Sequence, residues 1–248
     1  MPYTLTFKRT HCSDVIKRAA IAMVMICSIA NVAAQQEIHK KYKDSIRILR
    51  SQKDFSSKDT VYIDLLSNLG YQLRYYNSDS LFLLSNEALK LSKISGYKEG
   101  ESRAQLRLGD YYSDKGDADN AIFNYTASLD IAKELGNKNL ILRIMNNLAS
   151  ENAYKGDYAH ALTGYLEAIE IAEEVGNKNM LSIMNENIAN LYASQKDFDQ
   201  SLDFYKKVKK INGELGDEVI IAETLGNLAS TYADMGKLDY AMFNINKS

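Results

Sequence analysis

The chain has 248 residues, 46% of them hydrophobic, and a formal net charge of −2. This hydrophobic content is enough for a continuous core, so a disordered chain is not expected. The only proline is Pro2, which leaves no helix breaker in the rest of the sequence. The composition therefore favours an all-α protein.

Residues 1–34 are predicted to form a signal peptide. Four basic residues supply a positively charged n-region: Lys8, Arg9, Lys17 and Arg18. The apolar run 19–34 ends in Val32-Ala33-Ala34, small residues that suit a signal peptidase. We therefore expect an exported bacterial protein, periplasmic or secreted. The alternative is an uncleaved anchor helix, which would be the only predicted contact of the protein with a membrane. The apolar run is, however, shorter than the about 20 residues that a membrane span needs.

Both cysteines, Cys12 and Cys27, lie in this leader. The mature chain would therefore have no disulfide and no thiolate chemistry. Without the leader, 26 basic (30−4) and 31 acidic (32−1) side chains remain, a formal charge of −5. This acidic balance argues against nucleic acid as the main partner.

Residues 35–58 are predicted to contain a lead-in helix that covers the first repeat. Ile38, Tyr42, Ile46 and Leu49 recur at helical spacing, as expected for one apolar face. The segment 56–59 then breaks the pattern and offers N-cap oxygens to the next helix.

The segment 59–248 repeats itself with a period of forty residues. From Ala121 the sequence reads AIFNYTASLDIAKELGNKNL, and from Ala161 it reads ALTGYLEAIEIAEEVGNKNM, with nine of twenty positions identical. A fixed period of this length indicates stacked supersecondary units. We predict about five hairpins of a helix A and a helix B, the last incomplete, at 59–76 and 79–95, 98–115 and 118–135, 138–155 and 158–175, 178–195 and 198–215, and 218–235 and 238–248.

Glycines mark the predicted helix ends. Gly136-Asn137 and Gly176-Asn177 each place a left-handed glycine after helix B and a capping side chain before the next helix A. Gly156-Asp157 does the same between the two helices of one hairpin. Lys196-Asp197 and Gly236-Lys237 are imperfect copies of this signal.

Small and large residues alternate with the same period. One small position on helix A and one on helix B recur: Gly109, Ala149, Ala189 and Ala229, and Ala121, Ala161, Ser201 and Ala241. Small residues let antiparallel helices approach to about 8–10 Å. Tyr125, Tyr165 and Tyr205 recur beside them, so we predict that they are core residues with hydroxyls near the surface.

These positions resemble the tetratricopeptide repeat signature. The resemblance is carried by Leu108-Gly109, Tyr112, Gly116, Ala121 and Tyr125, and part of it returns at 228–241. The period of forty departs from the usual 34 residues, and no proline closes helix B. Longer arrays of this kind are found in kinesin light chain and in bacterial peptide-sensing regulators. The resemblance implies an α-solenoid with a right-handed superhelix.

The resemblance also implies a concave groove, lined by helix A, that binds a protein or peptide. The asparagines that recur on helix A could hold a peptide backbone, because an amide has both a donor and an acceptor. The arginines on the same helices could hold a carboxylate. The candidate groove residues are Arg103, Arg107, Arg143, Asn146, Asn147, Ser150, Asn187, Asn190 and Asn227. The alternative is structural: the amides join neighbouring repeats and the arginines form a solvated face.

The sequence predicts no catalytic centre, no metal site and no cofactor. Outside the leader the only histidines are His39 and His160, which lie on different elements without a cysteine partner. No phosphate loop or nucleophile motif is present.

A second reading of function comes from the opening repeat, 59–100. It resembles the first repeat of exported sensor regions in bacterial histidine kinases and helix-turn-helix regulators. The chain would then be the ligand-sensing input of a signalling protein, cut short. At the other end, Ala241, Met242 and Ile245 are expected to present an apolar surface that favours a homodimer through the incomplete hairpin.

Overall fold

The computed structural model describes residue 37 and residues 40–246, and over these residues it contains eleven helices and no strand. The helices are α1 (40–50), α2 (Thr60–Leu73), α3 (Ser78–Ser95), α4 (Lys98–Asp114), α5 (Ala118–Glu134), α6 (Lys138–Tyr154), α7 (Tyr158–Glu174), α8 (Lys178–Ser194), α9 (Phe198–Leu215), α10 (Glu218–Asp234) and α11 (Leu238–Ile245). The predicted all-α solenoid is confirmed. The predicted signal peptide, with Cys12 and Cys27, and also Ile38 and His39 lie outside the described residues.

The helices pair as successive hairpins. From α2 to α11, even-numbered helices are helix A and odd-numbered helices are helix B. Each packs against its neighbours in sequence, and α2 also contacts α4, as α6 contacts α8. Contacts between nearest neighbours are what define a solenoid.

The helix ends lie where glycines and capping residues predict them. From α2 onward, every helix begins within one residue of its predicted start. Gly136 has φ 65° and Gly176 has φ 67°, so both are left-handed. The Asn137 side chain accepts a hydrogen bond from the Leu140 backbone N–H at 3.1 Å, which caps α6. Lys196 adopts the same left-handed conformation, φ 62°, without being glycine.

The two helices of a hairpin cross closely at the small residues. Ala121 is fully buried, and Tyr125 is 2% exposed. A Cβ atom on Gly109 would lie 2.4 Å from the Tyr125 ring, so only glycine fits there. In the next hairpin Ala149 takes this position, opposite Gly164, where an added Cβ would lie 3.2 Å from the Ala149 Cβ. Small residues therefore set the spacing of α4 with α5 and of α6 with α7.

The buried side chains form two clusters along the stack. One joins α1 to α4 and includes Ile46, Tyr62, Ile63 and Ala104. The other runs from Leu106 on α4 to Leu228 on α10. Both clusters therefore reach α4, the first at Ala104 and the second at Leu106.

The expectation for α11 is corrected in part. Ala241 is buried rather than surface-exposed, because it fills the small helix-B position that packs on helix A. Met242 is 63% exposed and Ile245 is 59% exposed. Dimerisation through this helix stays a prediction. Among the described residues, none of the helices has the length and apolar character that crossing a membrane requires.

Replacing Gly109 with alanine is expected to lower the free energy of unfolding by about 1–3 kcal/mol, because the new methyl group overlaps the Tyr125 ring. Gly226→Ala is the matched control, since an added Cβ at Gly226 meets nothing within 4 Å. The control should raise the free energy by up to about 1 kcal/mol. Urea unfolding followed by circular dichroism measures both. Equal effects would contradict the close crossing.

Replacing Lys196 with glycine is expected to raise the free energy of unfolding by about 0.5–1 kcal/mol. The left-handed backbone costs a non-glycine residue about 1–2 kcal/mol, and the greater freedom of glycine in the unfolded chain offsets part of the gain. Thermal unfolding should show a higher Tm than the wild type, whereas an unchanged or lower Tm would refute the assigned strain.

Candidate functional site

The candidate groove residues lie on four successive A helices. Arg103 and Arg107 lie on α4, Arg143, Asn146, Asn147 and Ser150 on α6, Asn187 and Asn190 on α8, and Asn227 on α10. We call the surface formed by these residues the A-helix face.

The asparagine row joins consecutive A helices. Each Nδ2 donates to the preceding helix A: Asn147 to Asp110 Oδ1 at 3.0 Å, Asn187 to Asn146 Oδ1 at 2.8 Å, and Asn227 to Glu186 Oε1 at 3.3 Å. The three side chains therefore point to the same side of the solenoid. These hydrogen bonds are the ones expected if the amides join neighbouring repeats. The Oδ1 atoms of Asn187 and Asn227 accept no hydrogen bond from the residues that the structure describes.

Ser150 and Asn190 form a second row on the A-helix face, and the buried tyrosines of helix B form hydrogen bonds with their side chains. The Ser150 and Tyr165 hydroxyls lie 2.8 Å apart, and the Tyr205 hydroxyl donates to Asn190 Oδ1. Burial raises the pKa of Tyr205 to about 12, so the hydroxyl keeps its proton at neutral pH. The tyrosines are buried as predicted, and their hydroxyls fix side chains of the A-helix face.

Asp110, which the predicted set omits, binds two residues of the A-helix face, Arg107 and Asn147. Its carboxylate is 1% exposed and accepts hydrogen bonds from Arg107, Tyr125 and Asn147, each at 3.0 Å. The Arg107 guanidinium also lies over the Tyr71 ring, 3.8 Å from its centroid. Arg107 is therefore a buried, paired residue and not part of a solvated face.

Arg74, at the end of α2 in the first hairpin, also contacts α4. It forms two hydrogen bonds with the Asp114 carboxylate and lies 3.8 Å from Asp110 Oδ1. Such bidentate arginine–carboxylate pairs fix the relative orientation of the two side chains as well as contributing electrostatic energy. These polar contacts thus link the end of α2 to α4, in addition to the apolar packing of α2 with Ala104.

The other two arginines differ in their pairing. Arg103 forms an ion pair with Glu99 and lies 3.3 Å from Asp64 Oδ1. Arg143 is exposed and has neither an ion pair nor a hydrogen bond with any described residue. Partial desolvation of its guanidinium by neighbouring residues, together with repulsion from Arg107, holds the pKa of Arg143 below its ordinary value. Arg143 thus carries a positive charge that no described carboxylate pairs with directly.

These arginines line one cavity, which we call the arginine cavity. Its volume is about 260 Å³, and it lies between α4 and α6 with one residue from α2. The lining residues are Asn68, Arg103, Leu106, Arg107, Asn137, Asn139, Leu140 and Arg143. Guanidinium and amide donors dominate this set, so the cavity suits a carboxylate or another anion.

No arrangement for metal binding is found within the described part of the chain, where no three His, Cys, Asp or Glu side chains converge. His160 lies at the start of α7, where its Nδ1 is 2.7 Å from Asp157 Oδ2, the carboxylate that caps the helix. Its surroundings are those of an exposed capping pair.

Comparison with known proteins agrees with this architecture. A family model described as Tetratricopeptide repeat matches residues 100–174 and 179–244. Comparison with curated protein sequences gives no match.

Solved structures with the same fold come from several kinds of protein. BtubC (BKLC) from P. vanneervenii has a TM-score of 0.73 and 19% identity, with 86% of this chain and 89% of that chain covered. The Signal Transduction ATPase with Numerous Domains protein with a tetratricopeptide repeat sensor, from Pyrococcus horikoshii, has a TM-score of 0.69 and 13% identity, covering 84% and 33%. A Rap protein complexed with Competence and Sporulation Factor has a TM-score of 0.65 and 14% identity, covering 84% and 68%.

Replacing Asp110 with asparagine is expected to lower the free energy of unfolding by about 3–5 kcal/mol. The change leaves the buried Arg107 without its anionic partner and places an amide N–H against other donors. Asp119→Asn is the control, because Asp119 is 84% exposed, and its loss should change stability little. Urea unfolding compares the two variants. A similar small loss in both would show that the Asp110 network does not hold α4 to its neighbours.

Proposed function

Because this chain belongs to the tetratricopeptide repeat family, we propose that it is a binding scaffold for a protein or peptide that lies along the A-helix face. The observation that carries the proposal is Arg143, an exposed guanidinium without a counter-ion in a cavity that two further arginines line. A carboxylate in this cavity would supply the missing counter-ion. The proposal includes no reaction and no cofactor.

The rest of the face suits the main chain of such a ligand. The donors of Asn147, Asn187 and Asn227 are occupied between repeats, which holds each amide in a fixed orientation. The free Oδ1 atoms of Asn187 and Asn227 are acceptors for backbone N–H groups. Fixed side chains lose little conformational entropy on binding, so a preorganised row of acceptors favours affinity.

A second candidate function is the sensing of such a ligand for a signalling protein. It is favoured by the similarity to a protein that contains a tetratricopeptide repeat sensor. On this proposal, the opening repeat, 59–100, corresponds to the first repeat of an exported sensor region. The Rap protein complexed with Competence and Sporulation Factor adds that a protein with this fold can hold such a factor. A transmembrane segment and a kinase or DNA-binding domain encoded directly downstream would decide for the sensor over the scaffold.

We further propose that the binding takes place outside the cytoplasm, in the periplasm or after secretion. The proposal depends on the basic and apolar pattern of residues 1–34. Cell fractionation followed by N-terminal sequencing tests it. A mature protein that begins at Gln35 supports export with cleavage, whereas a cytoplasmic protein with an intact N-terminus would contradict it.

Replacing Arg143 with glutamate is expected to weaken peptide binding at least tenfold, because it puts a like charge where the ligand carboxylate binds. The probe is a synthetic library of random hexapeptides with free C-termini, incubated with the purified mature chain. Retained peptides are identified by mass spectrometry after size exclusion. The wild-type protein should retain peptides enriched in acidic residues.

Lys90→Glu is the matched control, since it makes the same charge change on the exposed surface of α3, a helix B. It should retain the same peptides as the wild type, and all three proteins should have similar Tm values. Equal loss in both charge variants would point to net charge alone. A wild type that retains no peptide would contradict the proposed function.

A further inference from the structure

The A-helix face carries a second cavity, equivalent to the arginine cavity but two repeats further along the chain. It has a volume of about 290 Å³ and lies between α8 and α10, with one residue from α9. The lining residues are Asn179, Ser182, Ile183, Glu186, Asn212, Asp217 and Ile220. Four of them stand eighty residues after members of the arginine cavity: Ile183 after Arg103, Glu186 after Leu106, Asp217 after Asn137, and Ile220 after Leu140.

The two cavities have the same framework and opposite charge. Glu186 and Asp217 contribute carboxylates where the arginine cavity has a leucine and an asparagine. Glu223, eighty residues after Arg143, is exposed at the same place on α10. None of these three acidic side chains forms an ion pair with a described residue. We call this site the carboxylate cavity.

The charge of Glu186 is poorly compensated within the protein. Its carboxylate accepts one long hydrogen bond, 3.3 Å, from Asn227. Partial burial raises the pKa of Glu186, and repulsion from Glu223 raises it further. A positively charged group placed between the two carboxylates would offset both effects.

A buried side chain in the wall of the same cavity adds an acceptor that no described residue of the protein occupies. Asn212 is 2% exposed, and its Nδ2 donates to Ser182 Oγ at 2.6 Å and to the Val208 carbonyl at 2.9 Å. Its Oδ1 accepts no hydrogen bond from any residue in the described range. Because Asn212 lines the cavity, an N–H donor of a ligand there can reach this oxygen.

We propose that the carboxylate cavity binds the cationic group, an ammonium or a guanidinium, of the same peptide whose carboxylate occupies the arginine cavity. This inference depends on the proposed function and names the chemistry of its ligand. An organic cation fits better than a metal ion, because the described residues bring no three acidic, histidine or cysteine ligands together. The cation donates hydrogen bonds to Glu186 and Asn212.

The spacing of the two cavities sets the length of the ligand. They are separated by two intervals between consecutive A helices, or about 16–20 Å at 8–10 Å each. An extended chain covers this distance in about five or six residues. Between the cavities the face is neutral, with the amides of Asn146, Asn147 and Asn187. The ligand is therefore a short extended segment with a negative group at one end and a positive group at the other.

The test uses two synthetic hexapeptide libraries with free termini, in which X is any residue. Lys-X-X-X-X-Asp has both positive groups at its N-terminal end and both negative groups at its C-terminal end. Asp-X-X-X-X-Lys has the same composition and net charge but two nearly neutral ends. The purified mature chain should retain the first library at least tenfold more than the second, as measured by size exclusion and mass spectrometry.

Single variants then separate the two cavities. Glu186→Gln keeps the acceptor for Asn227 and removes the charge, so the preference for Lys-X-X-X-X-Asp over Ala-X-X-X-X-Asp should disappear. Arg143→Gln should instead remove the preference for Lys-X-X-X-X-Asp over the C-amidated Lys-X-X-X-X-Ala. Each variant should keep the preference that the other loses, and both should keep the wild-type Tm.

The outcomes distinguish the inference from the proposed function. If Arg143→Gln changes selection and Glu186→Gln does not, the carboxylate cavity binds no cation, and the proposed function stands. Equal retention of the Lys-X-X-X-X-Asp and Asp-X-X-X-X-Lys libraries also overturns the inference but leaves the proposed function standing. Retention of no peptide from any library overturns the proposed function, and the inference falls with it.

Discussion

The close crossing of the two helices in each hairpin is the constraint from which the rest of the structure follows. Gly109 lets the Tyr125 ring lie directly against α4, and the small residues of later hairpins keep the same spacing. Because the helices are this close, the tyrosine hydroxyls of helix B reach helix A. There they form hydrogen bonds with Asp110, Ser150 and Asn190. The packing of helix B thereby fixes side chains on the opposite side of the hairpin. A looser crossing would leave the A-helix face without this support.

One repeated framework serves different purposes along the chain. At its N-terminal end, Arg74 of the first hairpin donates two hydrogen bonds to Asp114 of the second and forms an ion pair with Asp110. In the middle, amides bridge neighbouring helices without net charge. Toward the C-terminal end, Glu186 accepts from Asn227 in the same pattern and adds a negative charge. Because each repeat contacts chiefly its neighbours, a change in one repeat need not disturb the others, and the surface can vary while the stack persists.

The fold could be predicted from the sequence, because left-handed glycines, capping residues and small contact positions recur every forty residues and are local signals. The candidate site could be predicted only in outline. The role of Asp110 depends on partners from three other helical segments, one of them Arg74 at the end of α2. A signal was present: Asp110 is the acidic member of a row that continues as Ser150 and Asn190. The opposed cavities could not be foreseen, because periodicity finds equivalent positions but not which of them share a cavity.

The central claim is that a peptide binds along the A helices, and hydrogen–deuterium exchange tests it most directly. Exchange is measured for the mature chain alone and with peptides retained from the Lys-X-X-X-X-Asp library. Slower exchange on α4, α6, α8 and α10, with little change on α5, α7 and α9, is the predicted result. Slower exchange confined to the B helices, or none under conditions where the peptides are retained, would contradict the account.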